Sequence, residues 1–422
     1  MRACWLWGGA SLVLAADLIA CGPVRAQSAP QNGDSLLGAT IEGLRAAGRQ
    51  LSPALRAAAL DTEAVSARAG GADALDDPTI TDNYTYYKDP GVFSAHTVMV
   101  SQSFPLWGKR SLRRQAALAD VDAARGQEQA ARDATDEKIK VAYAQHYLIN
   151  QDLAVNREIA ALARRMRSAT TARYGQGGGD QTGVIQALGE ETAAKAEAIR
   201  LAGERDTARA RLNALVGHPA DAPLADPVRA RPVPAAGLSV AAMIERARVT
   251  NPTLSAGNAR IEVARVRSTL ADKAWYPDIT VGAGPLIQTN NRPVGFSATV
   301  GLNIPLPWGR EASGQREAQA QLGASQQRYE ASVLEVEGAL GEAVAKLRAA
   351  QATEALLRRE TLPQARAGFQ AILASYSQGG GDLAAAIAAE RQVHDVDLRL
   401  LQVQMDEQVE LAAIERLIGG DL

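Results

Sequence analysis

Cysteine and aromatic residues are the scarce components of this 422-residue chain. Its two cysteines, Cys4 and Cys21, both stand near the N-terminus, so the remainder has neither a disulfide framework nor a thiolate metal site. Aromatics make up only 4% against abundant alanine, a balance that suits closely packed long helices better than a bulky globular core. Neither sign of charge dominates: 45 Lys and Arg face 47 Asp and Glu, dispersed, which removes the electrostatic case for a nucleic-acid partner. The four histidines, His96, His146, His218 and His394, have no companion at metal-ligand spacing. A nucleophile elbow, a zincin helix, a kinase motif set and the Lys-Ser/Thr that follows a phosphate loop are all missing. No catalytic residue, metal ligand or cofactor site is therefore expected, and the chain reads as a non-enzyme.

Only the first residues form a long apolar stretch. Arg2 precedes an apolar run from Ala3 to Ala16, and Val24-Arg25-Ala26 before Gln27 fits a small-x-Ala cleavage site, so 1–26 reads as an export signal. Leu18-Ile19-Ala20-Cys21 followed by Gly22 fits a lipoprotein signal equally well, with Cys21 lipidated. Both routes lead out of a bacterial cytoplasm. Beyond this segment no run of 18 apolar residues occurs, which excludes a membrane-spanning helix but not a membrane β-barrel, whose strands are individually weak signals.

What is present is a unit written twice. Arg173-Tyr174-Gly175-Gln176-Gly177-Gly178-Gly179-Asp180 recurs as Ser375-Tyr376-Ser377-Gln378-Gly379-Gly380-Gly381-Asp382, each between two long Ala-rich segments. Three glycines interrupt a helix and permit the positive φ of a tight reversal, so both read as tips of helical hairpins. Ser52-Pro53-Ala54-Leu55 matches Asn251-Pro252-Thr253-Leu254, and Pro78-Thr79-Ile80 matches Pro277-Asp278-Ile279. Phe104-Pro105-Leu106-Trp107-Gly108 matches Ile304-Pro305-Leu306-Pro307-Trp308-Gly309, and Leu215-Val216-Gly217 matches Leu417-Ile418-Gly419. Two repeats follow, 39–217 and 240–419, joined by a proline-rich linker, 218–239.

Each repeat reads helix, strand, strand, long helix, tip, return helix. The opening helices are expected over 39–70 and 240–274, and the strands over 79–87, 92–104, 278–288 and 294–304. The last strand alternates Phe296, Ala298, Val300, Leu302 and Ile304 with Ser297, Thr299, Gly301 and Asn303. Its counterpart sets Val98, Val100 and Phe104 against Thr97, Ser101 and Ser103, with Gln102 as an exception. Short turns, Asp89-Pro90-Gly91 and Asn291-Arg292-Pro293, join each pair. A helix then runs from Lys109 to about Arg173, roughly 96 Å at 1.5 Å per residue, with a seam at Val141, Leu148, Val155 and Leu162 beside Ile159 and Met166. The return helices are expected at 182–216 and 384–418, the second with a seam through Val393, Val396, Leu400, Val403, Ile414 and Leu417.

Four strands cannot close a barrel, and open edges are not tolerated in lipid, so if the apolar faces meet lipid several chains must pool their strands; three copies would give twelve. The expected fold is mainly α with a small β part: long coiled-coil-like hairpins plus four strands per chain contributing to a trimeric 12-stranded outer-membrane barrel. Trp107 and Trp308, where strand becomes helix, suit an interfacial aromatic belt or packing at a bend. Lys109, Arg110, Arg113 and Arg114 read as a solvated helix start or as contacts to lipid headgroups.

These features resemble the bacterial outer-membrane efflux proteins of the TolC family. The resemblance rests on the duplicated unit, on Arg173-Tyr174-x-x-Gly177 and Tyr376-x-x-Gly379, and on Ala210-Arg211-Leu212-x-x-Leu215-Val216-Gly217. Pro105-Leu106-Trp107-Gly108-Lys109-Arg110 is most similar to the heavy-metal branch, the outer component of cobalt–zinc–cadmium pumps. The family implies a homotrimer in outer-membrane lipid with a periplasmic helical tunnel, acting as a passive conduit. Its partners would be a periplasmic adaptor (membrane fusion) protein and a proton-driven inner-membrane pump of the resistance-nodulation-division type. Gly175, Gln176, Gly177, Gly178 and Gly179, with Ser377, Gln378, Gly379, Gly380 and Gly381, would be the adaptor-docking turns. Many members place aspartates just past the tips; Gly183, Ala385 and Ala388 stand there in this chain. Asp180 and Asp382 could supply an acidic tunnel mouth instead, or simply cap their helices. Metal cations are the expected cargo, with a drug conduit of the same family or a periplasmic coiled-coil adaptor or scaffold as alternatives.

Overall fold

A computed structural model describes residues 37–86, 94–177, 181–227, 229–234, 239–288, 293–378 and 383–422. The described chain is mostly helical, with one four-stranded antiparallel sheet. Helices α1 (Ile41–Leu51) and α2 (Pro53–Gly70) lead into strands β1 (Thr79–Thr85) and β2 (Ala95–Phe104), then α3 (Lys109–Gly175) and α4 (Gln181–Val216). The second half repeats the order with α5 (Val240–Thr250), α6 (Pro252–Asp272), β3 (Asp278–Gln288), β4 (Gly295–Asn303), α7 (Arg310–Leu356), α8 (Leu362–Ser377) and α9 (Leu383–Leu417). Each expected opening helix is in fact two. The breaks fall at Ser52 and Asn251, whose ψ of 119° is extended because the following proline disfavours a helical residue before it. Asn251 also caps α6, its side chain accepting from Thr253 and Leu254 N–H at 2.8 and 3.0 Å.

Each break receives the end of a return helix. Gly217 (φ +76°) seats on the Leu51 carbonyl, where an added Cβ would stand 2.7 Å from the oxygen. Gly419 (φ +69°) does the same at Thr250, at 2.4 Å. Only glycine satisfies both the left-handed backbone and the close approach. Around these joints lie two matching cores. One gathers Leu44, Ile139, Tyr143, Leu212 and Val216. The other gathers Met243, Leu340, Val344, Ile414 and Ile418, about 200 positions further on in each case.

The 67 residues of α3 make a rod of about 100 Å from the sheet to the first tip. The second arm is not one α-helix: Leu357–Thr361 is a π-helical turn between α7 and α8, next to Pro363, which lacks an N–H for the regular ladder. The expected seam of α3 is displaced. Leu148 and Met166 are buried, but Val141, Val155, Ile159 and Leu162 are only half-buried. The buried line instead runs through Ile139, Tyr143, His146, Ile149, Leu153 and Asn156. Polar residues on it disguise the period.

The linker is strapped to the helices rather than standing free. Ala225 N–H donates to Leu37 O (2.8 Å), Tyr143 Oη to Arg229 O (2.9 Å), Gln408 Nε2 to Arg231 O (3.0 Å) and Gln351 Nε2 to Pro234 O (3.0 Å). Beside it a charge network joins distant segments. Asp136 accepts from Arg45 and Arg49, Glu415 from Lys140 (2.8 Å) and Arg231 (2.7 Å), and Asp421 from Arg45 and Lys140. Buried ion pairs fix geometry more than they add stability, and this one holds the two halves in register.

Candidate functional site: the sheet face and the helical tips

Strand order is β1-β2-β3-β4, with β1 and β4 at the edges. The register sets Ile80 opposite Val100, Val100 opposite Ala283, and Ala283 opposite Ala298. One end is closed by Phe104 opposite Ile279 and Ile279 opposite Leu302. Since directly paired residues share a face, Ile80, Val98, Val100, Phe104, Ile279, Val281, Ile287, Phe296, Val300 and Leu302 form one continuous apolar surface. Phe296 and Val300 are 76% and 75% exposed in the protomer. The other face carries Thr81, Thr97, Ser101, Ser103, Thr280, Ser297 and Thr299 among glycines, with Met99 and Leu286 as apolar exceptions. Gln102, Asp82 and His96 interrupt the apolar face; the last two are paired at 3.3 Å, with Tyr84 stacked on His96 at 4.5 Å. Alternation had marked Gln102 alone.

At the foot of the sheet, the junction into α3 is locked. Lys109 Nζ reaches both carboxylate oxygens of Asp278 (2.9 Å) and the Tyr276 carbonyl (2.8 Å), and Leu106 N–H donates to Asp278 Oδ1 (3.0 Å). Trp107, with φ +60°, donates from Nε1 to Pro277 O (2.8 Å) and leans on Tyr276. This corrects the reading of the basic cluster. Lys109 is only 7% exposed and serves the junction, while Arg110 and Arg114 reach back to Asp73. Trp107 is 53% exposed and Trp308 85%, both just below the apolar face.

At the far end, Gln176 closes α3 with N–H bonds to the Ala172 and Arg173 carbonyls, and Gly177 turns away at φ +77°. Gly175, Gln176, Gly177 and Gln378 are exposed, and Ser377 is the last residue of α8. Gly178, Gly179, Asp180, Gly379, Gly380, Gly381 and Asp382 lie outside the described residues, as do Cys21 and the turn residues Asp89, Pro90, Gly91, Asn291 and Arg292. The two arms are latched together beside the tips, a feature that spacing did not reveal. Arg173 stands over the Tyr376 ring at 5.1 Å, and Thr170 Oγ1 lies 3.3 Å from Tyr376 Oη. Beneath them Met166, Leu383, Ala386 and Ile387 form a small core.

Among the described residues no three His, Cys, Asp or Glu side chains are placed to hold a metal ion, and no helix is long and apolar enough to cross a membrane. The exposed chemistry is therefore a two-sided sheet at one end of a rod and a pair of latched turns at the other.

Comparison with known proteins agrees with that geometry. A search of curated proteins returns no match. The structure is similar to that of CusC, described in terms of transmembrane channel formation (TM-score 0.77, 17% identity, 90% of this chain and 92% of that one). It is similar to the outer membrane protein VceC of Vibrio cholerae (0.76, 20%, 90% and 96%). It also resembles the open state of the MtrE outer membrane channel of Neisseria gonorrhoeae (0.73, 17%, 93% and 94%). At these identities the likeness establishes the fold. The family described as outer membrane efflux protein matches residues 46–218 and again 243–420, most of the chain and each half separately. The chain belongs to the outer membrane efflux protein family, and its place is the outer membrane.

Proposed function

We propose that the protein is the outer-membrane conduit of a tripartite efflux system, working as a homotrimer without catalysis. The observation that carries this is the sheet: an exposed apolar face, a hydroxyl-lined opposite face, and two unpaired edges, continuous with a rod of about 100 Å. Three copies pool their strands into a 12-stranded barrel, apolar face to lipid and hydroxyl face to the lumen. Trp107 and Trp308 then sit in the interfacial belt. We read the chain as an export signal (1–26), two copies of one unit (39–217 and 240–419) and a linker (218–239).

The tips, Gly175–Gly179 and Ser377–Gly381, dock a periplasmic adaptor joined to a proton-driven inner-membrane pump. Asp180 and Asp382 line the tunnel mouth, and the mature chain starts either at Gln27 or, with cleavage before it, at Cys21 as a lipid anchor. Heavy-metal cations are the proposed cargo, supported by the Pro105–Arg110 segment. The barrel reading is tested by gel analysis of the outer-membrane fraction, where heat-sensitive trimers are expected and a soluble periplasmic monomer would overturn it. The cargo is tested by deletion followed by growth on cobalt, zinc, cadmium, copper or nickel; unchanged tolerance to all of them would count against metals. Mass spectrometry of the mature N-terminus decides between acylated Cys21 and a start at Gln27.

A further inference from the structure

Four carboxylates are buried among the described residues: Asp136, Glu191, Glu407 and Glu415. Three hold ion pairs, with Arg45 or Arg49, with Arg167 and Lys195, and with Lys140 and Arg231 respectively. Glu407 is different. It is 5% exposed, and its Oε1 has neither a hydrogen-bond partner nor a counter-ion. A buried carboxylate in that state is strongly unfavourable unless something neutralises it.

Glu407 lies on the wall of a cavity of about 310 Å³ bounded by α3, the linker, α7 and α9. The other charged groups on this wall each have an ion-pair partner. Arg231, from the linker, is paired at 2.7 Å with Glu415, which Lys140 also holds, and its Nη2 has no hydrogen-bond partner. Glu354, from α7, is paired with Arg358 of the π-turn at 2.6 Å and also accepts from Gln404. Tyr147 and Leu148 of α3 supply aromatic and aliphatic surface and no charge. With Glu407 ionised, the wall carries two carboxylates, Glu354 and Glu407, against one cation, Arg231; Glu354 deepens the negative potential at Glu407 and Arg358 partly relieves it.

We infer that this cavity is a binding site for a small organic monocation, a primary alkylammonium, whose charge meets Glu407 and whose chain lies against Tyr147 and Leu148. The chemistry fits in three respects. One ammonium neutralises one carboxylate and donates the hydrogen bond that Oε1 lacks. Tyr147 lies on the same wall, and its aromatic side chain can take the cation or its methylenes. The space exceeds a water molecule's share of liquid volume by about tenfold, so an alkyl chain of a few carbons has room. The site is in the wall of the rod, apart from the sheet and the tips, and does not depend on what passes through the conduit.

Burial, and then the Glu354 charge, push the Glu407 carboxyl up to about 7. Binding should accordingly be stronger above neutrality, where an entering ammonium meets an ionised partner, than in acid, where the proton already fills that role.

The test is calorimetric titration of the full-length protein in detergent with n-butylammonium chloride, at about pH 8 and about pH 5.5. Saturable one-to-one binding is expected at the higher pH, weakened about tenfold or more in acid and in Glu407→Gln, the worth of one charge-assisted hydrogen bond. Ala144→Leu, which fills the cavity while keeping the carboxylate, should also lose binding. Thermal melts of both variants establish that they fold; Glu407→Gln is isosteric and should melt no lower than the parent. Three results would overturn the inference: no saturable binding at the higher pH, equal affinity in Glu407→Gln, or displacement of the probe by sodium at matching concentration.

Discussion

Lys109 Nζ lies 2.9 Å from both carboxylate oxygens of Asp278, 169 residues further along the chain. The pair clamps the first long helix to the third strand, and it does so at the level where the sheet ends. Lys109→Met leaves a partly buried carboxylate with only the Leu106 N–H, and should lower stability by about 2–4 kcal/mol, somewhat under the range for a fully buried pair. The readout is the melting temperature of the detergent-solubilised protein. An unchanged melt would mean that Trp107 and Tyr276 hold the junction alone.

Sheet polarity predicts a sharp difference between adjacent residues. Val300→Lys places a charge on the apolar face and should cost about 2–4 kcal/mol near mid-membrane, whereas Thr299→Lys enters the hydroxyl face and should be tolerated. Outer-membrane yield and heat-modifiable mobility on gels distinguish them. Equal yields would reverse or remove the assignment of faces.

The tip latch should set the aperture between the arms. Tyr376→Phe removes the contact with Thr170, about 1 kcal/mol, and keeps the ring under Arg173. Tyr376→Ala removes both and should raise single-channel conductance in planar bilayers more than the Phe variant does. Parental conductance in both variants would place the constriction elsewhere.

Two acids give opposite pH dependence. Glu407, raised by burial and Glu354 from its ordinary 4.5 to about 7, is ionised at a cost in the folded state above that value. Stability should therefore rise as pH falls from above about 7 towards about 4.5, and Glu407→Gln should abolish the rise. Burial alone would raise Asp421 too, but hydrogen bonds from Lys140 and Arg45 outweigh it and hold the carboxyl down to about 2. Its contribution is complete above the usual carboxylate range and is lost as pH falls through about 2. Melting curves across this interval, for the parent and for Asp421→Asn, separate the two.

Gly419→Ala forces a side chain against the Thr250 carbonyl in a left-handed conformation and should cost about 1–3 kcal/mol. Gly217→Ala should do the same at Leu51, because the two joints are equivalent. A denaturant midpoint unchanged in either variant would show that the joint can shift.

Much of this was legible in the sequence because it depends on local signals. Alternation along 295–303 gave the strand and its faces, and the uninterrupted stretch from Lys109 gave α3 nearly to its last residue. The prolines at 53 and 252 were visible but read as repeat markers, although each also breaks a helix. The polar interior was hidden. Lys140 and Glu415 are 275 residues apart, and on a helical wheel each looks like one more solvated charge. His146 and Asn156 lie on the buried line of α3 and so shifted its seam from the apolar positions alone. Glu407 gives no sign at all in the sequence, since its isolation is a property of what surrounds it in space. The latch at Tyr376 depends on two arms meeting 203 residues apart.

The unpaired edges of β1 and β4 have a kinetic consequence. A protomer cannot satisfy those backbone groups from within, so its sheet is finished only by meeting other copies of itself. Completion then needs more than one chain, so its rate should climb faster than linearly with the amount of exported chain. At low supply the half-made sheets persist as sticky intermediates, and a modest rise in synthesis should convert them disproportionately into finished channels.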